Sequence, residues 1–201
     1  MRRLAMTMAL CALFGACTSV HSLAVNPSGI HDIGPDEGLV FGSIRVELTD
    51  EASGGIFAKD SKRFKYRINV TVPPEAKPNA FVTNLWQITV EPDQELIFVA
   101  RLPVGEMNLG TARPEPLFGS EFGLAGSFEV SAEKPTYIGR LLLTLPASLG
   151  TFTQIDVSAD NKLEETRSEV IKAYGDAFEN PLVKLIKVTN DRARLVTGPG
   201  S

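Results

Sequence analysis

The scarcest residues of this 201-residue chain decide most of its chemistry. It has two His and two Cys, and all four (Cys11, Cys17, His21 and His31) precede residue 32. A Ser-His-Asp or Cys-His enzyme needs an imidazole held by a rigid scaffold, and the chain beyond His31 has none. A His-ligated zinc site in the folded region is excluded for the same reason. Carboxylates remain. Glu91, Asp93 and Glu95 alternate in EPDQE. Hard oxygens gathered in a turn are what calcium takes, but a solvated turn between strands is the simpler expectation. Asp156, Asp160 and Asn161 stand before a helical pattern, where such side chains cap. Paired acids facing each other hydrolyse glycosides, but no motif marks such a pair. No GxxxxGK[ST] or GxGxxG phosphate loop occurs. We therefore expect no catalytic residue, no metal and no cofactor.

Aromatic residues are the remaining candidates for contact. Trp86, the only tryptophan, falls on a strand face. Phe118 and Phe122 flank glycines in a segment, Gly119–Gly126 (GSEFGLAG), that precedes a strand pattern. These three could stack on a sugar or dock a partner, and otherwise they belong to the core. The sequon Asn69-Val70-Thr71 lies within a strand pattern and carries no argument. Composition is ordinary for a globular protein, at 43% hydrophobic and 22% charged. The formal charge of −4 and the lack of a basic cluster argue against nucleic acid.

The first segment reads as an address. Met1-Arg2-Arg3 is followed by the uncharged run LAMTMALCALFGA, Leu4 to Ala16. As a helix that run rises about 20 Å, short of the ~30 Å hydrocarbon core of a bilayer. A basic start, a short apolar stretch and small residues at its end describe a secretory signal. One cut site is Ser22-Leu23-Ala24. The other, Phe14-Gly15-Ala16-Cys17, resembles the bacterial lipobox, with Phe14 where Leu is usual. That resemblance implies a diacylglycerol and an N-acyl chain on Cys17, with residues 1–16 removed. It also implies, from Thr18 in place of an Asp, residence in an outer membrane. Such cleavage removes two cations and no acid, so the formal charge goes from −4 to −6. No disulfide is then possible within the mature chain.

These residues need elements to position them. Residues 17–37 show no period and read as a lipidated Cys with a flexible tether. Residues 38–190 read as one domain and 191–201 as a tail. Strand alternation is clearest over Phe64–Val72, where Phe64, Tyr66, Ile68, Val70 and Val72 share a face. Further strands are expected near 40–48, 81–90, 96–102, 107–109, 127–130, 136–145, 152–157 and 182–188. One helix is expected over about 161–174, capped by Asp160 or Asn161 with Glu164 three residues on. Leu163, Val170, Ile171 and Tyr174 form its stripe and Gly175 its stop. The fold class expected is mainly β, an antiparallel sandwich of seven to eight strands with one C-terminal helix packed on it.

The stretch FVARLPVGEMNL, Phe98–Leu109, resembles a hairpin of prealbumin-like sandwiches, the carboxypeptidase-regulatory-like group, with Met107 where Tyr is usual. Phe128–Val130 through Tyr137–Gly139 is similar to the second hairpin in uncharacterised bacterial lipoproteins of that type. The resemblance implies a fold more than a function. The expectation is a lipid-anchored envelope protein, periplasmic or surface-facing, that binds or scaffolds a protein partner without catalysis. A carbohydrate- or peptidoglycan-binding module is the alternative, and a carboxylate-dependent hydrolase comes third.

Overall fold

The computed structural model describes residues 17–22, 24–49, 65–73, 82–115, 121–146 and 154–196. The signal segment 1–16 and Phe118 lie outside them. Two sheets pack face to face, with one helix on the outside of the second. Sheet I runs β1 (Cys17–Ser22), β4 (Val82–Val90), β3 (Lys65–Thr71), β6 (Gly105–Glu115), then β8 (Gly126–Val130) and β12 (Lys187–Val188). Sheet II runs β13 (Arg192–Val196), β10 (Gln154–Asp160), β9 (Thr136–Pro146), β2 (Glu37–Thr49) and β5 (Glu95–Pro103), with β11 (Leu182–Val183) on β9. β7 (Glu121–Gly123) pairs with both β6 and β13, so the hydrogen-bonded path passes from one sheet to the other.

Alternation puts one face of each strand inside. Tyr66, Ile68 and Val70 of β3 and Trp86, Ile88 and Val90 of β4 meet Val40, Ile44 and Val46 of β2 and Phe98, Ala100 and Leu102 of β5. Sheet II is apolar on its outer face as well. Leu39, Phe41, Val99 and Tyr137 are buried there beneath Val170 and Phe178. Hence β2 and β5 read as near-continuous apolar runs, as expected of strands covered on both faces. Gly139 sits at φ +94°, and a Cβ there would lie 2.9 Å from the Asp160 carbonyl oxygen. It marks the shift in the β2–β9 register between Phe41 and Ser43. The bulge turns both Ile138 and Leu141 into the inner core.

Helix α1 spans Leu163–Tyr174, two residues shorter at its start than expected. Asn161 Oδ1 accepts from the Leu163 N–H at 3.0 Å, and the Tyr137 hydroxyl accepts from the Lys162 N–H at 2.7 Å. Gly175 closes the helix, its N–H donating to the Ile171 carbonyl. A short 3-10 turn over Asp176–Phe178 then brings Phe178 into the outer core, edge-on to Phe41 at 5.4 Å.

Several connections differ from expectation. Residues 17–22, expected in a tether, pair in parallel with β4 from Cys17↔Val82 to Ser22↔Gln87. Residues 27–31 form a 3-10 turn that buries Ile30 against the outer core. The Val25 N–H donates to Val99 on β5. The expected tail holds β13, between β10 and β7. β5 and β6 do not form a hairpin: Pro103 ends one in sheet II and Gly105, at φ +115°, starts the other in sheet I. β8 and β9 likewise belong to different sheets. Residues 182–188 divide into two two-residue strands, one in each sheet. Among the described residues three pairings are parallel, β1–β4, β2–β9 and β11–β9. Period-two alternation reports which face is buried, and it carries no information on which strand lies alongside.

Candidate functional site

Folding separates the residues that the sequence had grouped. Glu91 pairs with Lys65 of sheet I at 3.1 Å. Glu95, four residues on, accepts from Ser43 Oγ at 2.6 Å on the outer face of sheet II, with Arg140 Nη1 at 3.7 Å. Asp93 holds the turn between them at φ +59°. The three acids of EPDQE thus serve different neighbours and do not converge on one ion. Among the described residues no group of three or more His, Cys, Asp and Glu is placed to hold a metal. His31 is exposed at the end of its 3-10 turn.

Trp86 and Phe122, singled out for ligand contact, are core residues, 8% and 2% exposed. Trp86 sits on the inner face of β4 opposite Val70, and Phe122 projects inward from the strand that joins the sheets. Neither offers a ring face to a ligand. Their rings are among the largest side chains filling the inter-sheet space, where burial stabilises most.

Two polar constellations were not marked in the sequence. On the outer face of sheet II, Arg140 donates from Nε to Asp160 Oδ1 at 2.9 Å while Ser43 is fully covered beside Glu95. The hydrogen bond to Asp160 holds the Arg140 guanidinium above its ordinary value, against the opposing effect of partial burial. The Arg140 guanidinium bridges the two carboxylates, so the cluster staples β9, β10 and β5 beside the helix.

The second constellation is a groove of about 500 Å³ at one end of the sandwich, lined by Gly105, Glu106, Ser127, Phe128, Glu129, Lys184, Leu185 and Lys187. Glu106 and Glu129 are direct cross-strand neighbours. Like charges so placed repel, and Lys184 Nζ offsets this at 2.7 Å from Glu129. Both acids are exposed, as are Leu185 and Lys187. The groove combines mixed charge with an apolar side. The only signal for it in the sequence was the outward phase of Glu106 and Glu129 on their strands. The Lys184–Lys187 side is added by tertiary packing. Comparison with protein-family models, with curated proteins and with solved structures finds no match for this chain in any of the three.

Proposed function

We propose that this chain is a lipid-anchored protein of a bacterial cell envelope, held in an outer membrane through Cys17, whose sandwich binds or scaffolds a protein partner and does not catalyse. The observation that carries it is the basic start and short apolar run ending in Phe14-Gly15-Ala16-Cys17. The three acyl chains attached at such a Cys, two on the glycerol and one on the amine, bind stably where one binds only marginally. With Trp86 and Phe122 in the core, the sugar-binding alternative rests on Phe118, which lies outside the described residues.

The test is Cys17→Ala in the full chain. The parent should sediment with membranes in high salt and the variant should appear in the soluble fraction. A variant that still sediments in high salt overturns the anchor. Cross-linking in intact cells, with mass spectrometry of whatever accompanies the lipidated protein, then tests the scaffold. A recurrent envelope protein in stoichiometric yield is expected, and its absence overturns that part.

A further inference from the structure

We infer that the end of the sandwich at which β1 begins lies against the bilayer, with Ile33, Val104, Val183 and Leu185 in contact with lipid. The inference rests on the anchor proposed at Cys17 and adds which face that anchor presents.

The strand registers locate Cys17. It pairs with Val82 of β4. Three residues along, Leu85 is opposite Thr71 of β3, and Thr71 is opposite Asn108 of β6. Val82 and Cys17 therefore lie level with Gly105, the first residue of β6 and the neighbour of Val104. From β1 to β6 is three strand spacings, about 14 Å at ~4.8 Å each. Pairings and hydrogen bonds place the other loops at this same end. Gly105 is opposite Val130, which leads into the turn before Thr136. Val104 donates to the Asp36 carbonyl, which brings in the 32–36 loop. Leu182 donates to the Pro135 carbonyl, and Leu185 packs over Gly139.

The exposed large hydrophobics among the described residues are Ile33 (43%), Val104 (45%), Val183 (48%) and Leu185 (37%). Ile33, Val104 and Leu185 belong to these loops, and Val183 ends the short β11 beside them. Single exposed apolar residues mean little, but their collection at one end marks a contact surface. The distance from the anchor decides what that surface meets. A free tether of about twenty residues would have a root-mean-square span of roughly 25 Å and leave the domain free to tumble. Because pairing in β1 starts at Cys17 itself, the lipid is bonded to the first residue of a strand, and the loops beside it are held at the interface. Glu106, Glu129, Lys184 and Lys187 at this end carry both signs. Contact should therefore depend on apolar insertion and not on anionic lipid.

The experiment uses the full chain, processed in cells, purified with its lipid and reconstituted in phosphatidylcholine vesicles. Val104→Cys, Leu185→Cys and, at the far end in the β4–β5 turn, Gln94→Cys are each labelled with a thiol-reactive fluorophore, Cys17 being blocked as a thioether. Bromine-bearing acyl chains should quench labels at 104 and 185 at least about twofold more than the label at 94, equally well when phosphatidylglycerol is added or salt is raised. Mass spectrometry of the Cys17 peptide separates the two claims. Lipid on Cys17 with equal quenching at all three positions overturns the orientation alone. No lipid on Cys17 overturns the anchor and the orientation with it.

Discussion

At the scale of single residues, burial has turned two aromatic side chains into reporters of the core. Trp86 is the chain's only indole and is 8% exposed. Its emission should be blue-shifted and weakly quenched by acrylamide, and should not respond to soluble glycans. A saturable change on adding an oligosaccharide would return the sugar-binding reading to contention. Tyr66 is 1% exposed, and its hydroxyl finds no hydrogen-bond partner among the described residues. Burial pushes its phenol well above the ordinary value of 10. A group whose pKa is raised on folding contributes stability that is complete below pH 10 and is lost as pH climbs beyond it. Tyr66→Phe removes a buried hydroxyl with no bond to lose. We expect urea denaturation at neutral pH to give a stability equal to the parent or up to about 2 kcal/mol higher. Above pH 10 the variant should lose stability less steeply.

At the scale of elements, the helix is held by the turn at its C-terminal end. α1 buries few of its own residues, Thr166 and Val170 foremost. Phe178, in the turn after Gly175, is fully buried between Phe41 and Tyr174, with ring centroids at 5.4 and 6.0 Å. Phe178→Ala should cost about 3–5 kcal/mol, measured by denaturation. Amide exchange should rise first in 163–178 and only later in the sheets, because the inner core does not include Phe178. Equal protection loss throughout the chain would mean that the helix is not a separable layer. The Tyr174 hydroxyl, donating to the Val25 carbonyl at 2.8 Å, ties the same layer to the segment after β1.

At the scale of the molecule, the sandwich is closed by contacts between distant parts of the chain. β2 pairs with β9 in parallel, and β13, near the end of the chain, supplies a strand between β7 and β10. Pairings that span roughly a hundred residues must wait for loop closure, so folding should take milliseconds to seconds. Stopped-flow refolding monitored by Trp86 fluorescence measures this. Complete recovery within tens of microseconds would contradict the topology.

The sequence alone determined the layers. Period-two alternation around Tyr66, Ile68 and Val70 named the inner face of a strand. The stripe of Leu163, Val170, Ile171 and Tyr174 named the helix and the side it buries. The absence of His from residues 32–201 set the expectation that no imidazole-based site lies in the sandwich. These are local facts, set by side-chain spacing and chemical type. The tertiary structure alone decided which strands are neighbours, because every strand offers the same backbone donors and acceptors to any other. It thereby placed Glu91 and Glu95 with different partners, carried Trp86 inward, assembled the groove from β6, β8 and residues 184–187, and paired residues 17–22 with β4. β13, with Arg192 and Arg194 in a five-residue strand, was too polar for alternation to reveal. Its place between two strands comes from partners that lie far away along the chain.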